Sequence, residues 1–252
     1  MNLPLEITLD VLKFLNFNQI SSLKLTNSFF LCLINKFEKV LPHMVFKQLS
    51  LISVSNDELM EYECIKPKCL SLEITDQQRK NWIEIIEKSM PAFCCSKTSS
   101  NEENVIIELE YSEEKSYYIA IKNLSETIEE LNFIHYYWDQ LFRCIFEFSE
   151  LISIVFNPKM IKLLFNEKRY FYFKFASIEL TPLHNNISEL CQFATETLIV
   201  TKYLSIYFSS YYNFDNDMDI LFNILINEGK RFTSINYYKI KSPLIFEGIV
   251  QV

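Results

Sequence analysis

Residues 177–208 read SIELTPLHNNISELCQFATETLIVTKYLSIYF. The segment opens on Ser177-Ile178-Glu179-Leu180, passes the polar pair Asn185-Asn186 into a helical pattern over residues 187–198, and returns to Ser205-Ile206-Tyr207-Phe208. A short β-branched or aromatic run, a helix and a second such run make a strand–helix–strand unit, the order that builds parallel α/β layers. The opening phrase recurs at Ser153-Ile154-Val155-Phe156 and Ser234-Ile235-Asn236-Tyr237, so that its four starts lie 24, 28 and 29 residues apart.

That period suits one strand plus one helix per unit and lies in or near the range of leucine-rich repeats. Residues 158–165 begin with a helix-start proline, and residues 215–228 carry Met218, Leu221, Phe222 and Leu225 before Gly229, a residue suited to closing a helix. Earlier units are less regular. Residues 71–74 are expected as a strand before a helix over 76–90, and Leu131-Asn132-Phe133 as a strand before a helix over 138–146. Residues 105–111 are expected to pair with 117–121, after a polar loop over 96–104. The asparagine ladder of regular leucine-rich repeats is missing, so the domain reads as irregular and leucine-rich-repeat-like, with mainly parallel strands. A non-repetitive α/β domain in which the phrase recurs by chance is the alternative.

The first forty residues follow a different pattern. Pro4 sits where a helix can begin, and apolar positions from Leu5 to Leu15 go nearly all round the cylinder of a first helix. Asn18 can cap a second helix carrying Ile20 and Leu23, and a third opens near Asn27 with Phe30, Leu33, Ile34, Phe37 and Leu41 at steps of three and four. So small a unit cannot hide all these side chains, and the surplus implies a partner or a neighbouring domain.

The stretch LPLEITLDVLKFLNFNQISSLKLTNSFFLCLI, residues 3–34, resembles the F-box. The resemblance rests on Leu3-Pro4, Glu6-Ile7, Val11-Leu12 and Leu15, then Ile20, Leu23 and Leu25, with Phe30 where most members have Trp. The wording is most similar to the expanded F-box families of plant-parasitic nematodes, as are RKNWIEIIEKSMPAF, YYWDQLFRCIFEF, VFNPKMIKLLF and DILFNILINEGKRF further on. Asn16 and Asn18 replace the usual proline and acidic residues of the first loop, and Thr26-Asn27 the usual Val-Cys. An ordinary three-helix start of a larger helical domain is the alternative reading of the same apolar spacing.

The expected organisation is a mixed α/β chain: an F-box over 1–45, a polar, irregular connecting segment over 46–68, and a repeat-like target-binding domain over 69–252. The resemblance implies the substrate-recognition adaptor of a Skp–cullin–F-box (SCF) ubiquitin ligase, working in the cytoplasm or nucleus. Leu3, Pro4, Ile7, Ile20, Leu23 and Phe30 would form or support the surface for the Skp adaptor, and through it the chain would reach cullin. The competing function is a non-catalytic α/β repeat scaffold that binds proteins without ubiquitin chemistry.

Composition narrows the remaining classes. A net charge of −8 with scattered lysines lacks the basic footprint of a nucleic-acid binder. The N-terminus has no basic region before its apolar stretch, and no run approaches a membrane span, so a chain inside the cell with reduced thiols is expected. Seven cysteines without CxxC spacing and three histidines far from them suggest no zinc site. Only two glycines, Gly229 and Gly248, leave no phosphate-cradling loop, and no GxSxG elbow is present. No catalytic residue, metal or cofactor is expected, although a hydrolase with an unrecognised histidine–carboxylate site stays open.

Strand alternation locates a second docking surface. Residues two apart share a face, so Ile154 and Phe156, Ile178 and Leu180, Ile206 and Phe208, and Ile235 and Tyr237 should point under the helices. Glu179, Tyr207 and Asn236 then lie on the uncovered face, with Tyr207 the expected anchor for a target protein.

Overall fold

The computed structural model describes residues 4–15, 17–37, 41, 44–65, 74–95, 104–151, 154–180, 187–208 and 232–238. The chain is mixed α/β. Three short helices come first: α1 (Leu5–Lys13), α2 (Phe17–Lys24) and α3 (Ser28–Lys36). Pro4 stands just before α1, and its carbonyl accepts both the Thr8 N–H and the Thr8 hydroxyl, each at 3.0 Å. The Asn27 side chain caps α3 by accepting from Phe30 N–H at 3.0 Å. These helices share a small core of their own, Leu12, Ile20, Leu33, Ile34 and Leu41, separate from the main one.

The rest is built on a seven-stranded sheet of order β4-β3-β1-β5-β7-β8-β9. Its strands are β1 (Met44–Val54), β3 (Asn104–Ser112), β4 (Lys115–Lys122), β5 (Cys144–Leu151), β7 (Phe171–Leu180), β8 (Leu198–Phe208) and β9 (Ile235–Tyr238). β1, β5, β7, β8 and β9 pair in parallel, while β3 and β4 form an antiparallel hairpin on the far side of β1. A separate antiparallel pair joins β2 (Phe93–Cys95) to β6 (Ile154–Phe156). Among the described residues, no helix is long and apolar enough to cross a membrane.

Three expectations need correction. Residues 46–68 were expected to connect two domains, yet β1 runs through them at the centre of the sheet, between β3 and β5. Its inward residues Phe46 and Leu49 are buried among polar neighbours such as Lys47, Gln48 and Ser50, so the strand reads as polar, and the short helix α4 (Asn56–Leu59), capped by Ser55 and Glu58, follows it. Residues 131–133 are helical, inside α6 (Ile128–Leu141). Thr127 and Glu130 close a reciprocal cap at its start, and Leu131, Ile134, Trp138 and Leu141 bury one face, so a helical period wins over a short apolar run. The helix expected over 138–146 therefore ends early, and Phe146 belongs to β5. The phrase at 153–156 supplies β6 of the small pair and not a strand of the main sheet; the place next to β7 is taken by β5.

Other expected elements form, while the strand over 71–74 and the polar loop over 96–104 lie, but for their last residues, outside the described residues. Residues 105–111 and 117–121 lie in the β3–β4 hairpin, and 76–90 contain α5 (Asp76–Glu87), capped by Thr75 and Gln78. Residues 158–165 are α7 (Pro158–Phe165), and 187–198 contain α8 (Ile187–Thr197). The helix expected over 215–228 lies outside the described residues.

Helices α5 to α8 serve one core. Trp82 and Ile85 of α5, Trp138 of α6, Leu164 of α7 and Phe193 of α8 are buried in the cluster that holds Phe46, Phe146, Phe173 and Ile206 of the sheet. The parallel strands advance in one direction, β5 to β7 to β8, and right-handed crossovers taken in one direction put every helix on the same face. Among the described residues, none of the helices α5 to α8 packs on the opposite face, where Ile106 of β3 is nevertheless fully buried.

Trp138 is fully buried with Phe93 and Phe156 around it, at ring distances of 5.8 and 5.2 Å. Trp138→Ala is expected to cost about 3–5 kcal/mol, read as a loss of unfolding free energy in denaturant titration.

His135 on α6 stacks on Phe165 at 4.5 Å and stands 5.5 Å from Trp82. Burial lowers its pKa, against Asp139, which raises it, and with Arg169, which lowers it further. The folded state therefore prefers neutral imidazole, and the unfolded chain takes up a proton first as pH falls through the ordinary value of about 6.5. This residue costs nothing well above that pH and destabilises the fold below it. Melting temperatures taken from about pH 7.5 down to about pH 5 should fall less steeply in His135→Phe than in the natural chain.

Candidate functional site

The N-terminal helices carry the first surface. Ile7, Val11 and Phe14 follow at steps of four and three, which puts them on one face of α1. They are 49%, 50% and 89% exposed. Leu5, Leu25, Phe29 and Leu31 are exposed as well. On α3, Ser28, Phe29, Cys32, Leu33 and Lys36 line a shallow depression of about 380 Å³. So many uncovered apolar side chains on one small unit mark an interaction surface.

Of the six residues expected at the adaptor surface, Leu3 lies outside the described residues. Pro4 and Ile7 face water. Ile20 is buried, and Leu23 and Phe30 are half-buried against the small core, so these three support the surface from beneath. Leu5, Val11, Phe14, Leu25, Phe29 and Leu31 are additions. The signal for them was the apolar circuit of α1, which could not say which side the core would take.

The second surface is the uncovered face of the sheet. Glu179 pairs directly with Tyr207 across β7 and β8, and Asn236 on β9 pairs with Ser205 of β8. Glu179, Tyr207 and Asn236 are all half-buried. They therefore lie on three successive strands, with Ile178 and Ile206 buried on the helix side as alternation requires.

Alternation slips at one level, which sequence reading missed. Inward residues step by three from Phe46 to Leu49, from Phe146 to Ser149 and from Phe173 to Ala176, and by four from Val200 to Leu204. The β7–β8 register shifts at the same level. The slip leaves Gln48, Phe148, Phe175 and Tyr203 in register away from the core, with the Phe175 and Tyr203 rings 4.7 Å apart. The preceding residues pair by charge: Lys174 with Glu147 at 2.5 Å, and Lys47 with Glu110 at 2.7 Å.

A cavity of about 590 Å³ lies where α7 and α8 end, lined by Lys162, Lys168, Arg169, Glu167 and Thr197 among others. Arg169 binds Glu167 at 2.7 Å and Asp139 at 3.2 Å and lies over the Phe165 ring, which ties it to the fold. Among the described residues no histidine or cysteine lines this cavity. Burial pushes the Cys144 thiol up to about 12, so it stays protonated and unreactive.

The fold is a mixed α/β frame that carries exposed apolar side chains on its N-terminal helices and a row of aromatic and polar side chains across its sheet. Residues 64–209 match the model of a family described as a domain of unknown function, DUF8381. The match spans more than half of the chain, and the chain belongs to that family. It takes in the sheet from β4 and β3 to β8 and ends before β9, and the three N-terminal helices and β1 precede it. No curated protein and no solved structure matches the chain.

The exposure pattern divides the apolar residues of α1 to α3 into two energetic classes. Phe14→Ser with Leu25→Ser should leave unfolding free energy within about 0.5 kcal/mol of the natural chain, whereas Ile20→Ala should lose about 2–5 kcal/mol of the stability of the helical unit. Thermal and denaturant unfolding followed by circular dichroism separates the two.

Proposed function

We propose that this chain is the target-choosing subunit of an SCF-type ubiquitin ligase, its N-terminal helices docking on the Skp adaptor and its sheet holding the protein to be modified. The observation that carries the reading is the surplus of apolar side chains on α1 to α3. A unit with its own buried core still presents Ile7, Val11, Phe14, Leu25 and Phe29 to water. The F-box resemblance of residues 3–34 supplies the identity of the partner, and the strand–helix succession of β5 to β9 is read as leucine-rich-repeat-like.

In this role the chain performs no acid–base or nucleophilic step. Its contribution is proximity: a target held on the sheet meets the charged conjugating enzyme as a tethered neighbour, at raised effective concentration. Transfer is carried out by other subunits, in the cytoplasm or nucleus where such ligases work. The scaffold reading shares the open sheet face and differs only in having no adaptor on the helices.

Co-purification of the full chain with the Skp adaptor decides between them. Ile7→Ser, Val11→Ser and Phe14→Ser together should abolish co-purification without lowering the melting temperature, because buried interface anchors cost about 2 kcal/mol or more each on truncation. Leu3→Ala with Pro4→Ala should act in the same direction. An adaptor that fails to bind the natural chain, or binds the triple variant equally well, overturns the ligase reading.

A further inference from the structure

The open face of the sheet is not flat. Because alternation slips, the in-register row Phe148, Phe175 and Tyr203 stands up as an aromatic ridge running across the strands. The next row outward holds Ser50, Glu150, Ser177, Ser205 and Asn236, in register on five adjacent parallel strands. Ser177 and Ser205 are 9% and 2% exposed, low between the bulkier rows, and none of the helices α5 to α8 packs on this face. Beyond them rise Glu179 and Tyr207. The result is a trough with a serine floor, an aromatic wall on one side and a Glu179–Tyr207 wall on the other. At about 4.8 Å per strand the in-register row from β1 to β9 extends about 19 Å, and the stretch walled on both sides is the β7–β8 pair.

The charges around the trough that have no ion-pair partner among the described residues include two carboxylates. Glu150 projects from the floor, exposed, and Glu179 from the wall, and neither has an ion-pair partner among the described residues. The other charges of this face are engaged or stand off: Lys47 with Glu110, Lys174 with Glu147, Glu108 accepting from the Tyr118 hydroxyl at 3.3 Å, and Lys202 behind the aromatic ridge. The chain as a whole carries −8, so its long-range field also favours a cationic partner.

We infer that the trough receives a segment of the target protein in which a lysine or arginine stands beside an aliphatic or aromatic side chain. The cation would meet Glu150 and Glu179. The apolar neighbour would lie against Phe148, Phe175 and Tyr203, whose ring faces also favour a cation. On β7 and β8 the floor is Ser177 and Ser205, whose short side chains admit the backbone of the segment closely beside Glu150. The inference rests on reading this face as the one that holds the target. It does not depend on the adaptor.

The test is to pan a phage-displayed library of random peptides, about 12 residues long, on the immobilised full chain, and to measure the synthetic consensus peptide by fluorescence polarisation. The expected consensus pairs Lys or Arg with Leu, Ile, Phe or Trp. Glu150→Lys with Glu179→Lys should weaken that peptide at least about tenfold, and Tyr203→Ser should do so separately, each with an unchanged melting temperature. An acidic or phosphate-mimicking consensus, no enrichment at all, or equal binding by the charge-reversed chain overturns the inference. Adaptor co-purification is measured on the same variants. Peptide binding that persists in a chain unable to hold the adaptor would sink the ligase reading alone, whereas adaptor binding without peptide selectivity would sink the trough alone.

Discussion

The aromatic contact set around Phe156 is the constraint on which the α/β domain depends. Its ring lies 5.2 Å from Trp138, 5.3 Å from Phe93, 4.5 Å from Phe171 and 6.1 Å from Phe193. Those five side chains come from α6, β2, β6, β7 and α8, so a single cluster ties the small antiparallel pair to the main sheet and to two of its helices. Asn157 makes the join directional: its side-chain amide donates to Pro91 O at 2.8 Å while its carbonyl oxygen caps α7. Removing any member leaves a void in close-packed surroundings, which is why so much of the fold answers to one place.

From that cluster the two faces of the sheet acquire opposite characters. The helices must all pack where the rings are, and the one-way succession of parallel strands allows it. The other face receives none of the helices α5 to α8, and its described residues pair largely with one another. Ion pairs such as Lys174–Glu147 and the Phe175–Tyr203 contact are how that face arranges itself. The slip in alternation belongs to both sides: Ser149 turns inward and donates to Leu49 O at 3.1 Å, which satisfies a hydroxyl in the core while Phe148 is released outward.

The N-terminal unit obeys a different economy of scale. Three helices of eight or nine residues cannot enclose the apolar side chains they carry, and the structure meets the shortage by burying Leu12, Ile20, Leu33 and Ile34 and leaving Ile7, Val11 and Phe14 outside. The family match begins after these helices, so the sheet domain and the helical unit pose separate questions: what the sheet holds, and what the helices attach it to.

Local signals were enough for much of this. Local patterns announced α3 near Asn27, a helix from Asp76 for α5 and α7 at Pro158, because helix starts and apolar periods are set within a few residues whatever the tertiary context. The recurring phrase marked β7, β8 and β9 as parallel neighbours, and with them the company of Glu179, Tyr207 and Asn236. By itself the sequence determined where these helices and strands form, and which side chains alternate along them. Only the tertiary structure decided that β1 enters the sheet, that 153–156 leaves it, and which apolar face of α1 meets the small core. Each of those outcomes depends on partners distant in the chain: Phe46 is stacked on Phe146 across a hundred residues, and Phe156 on rings from four other elements. Pairing energies of that kind are set by which surfaces come together, and no local run of residues carries them.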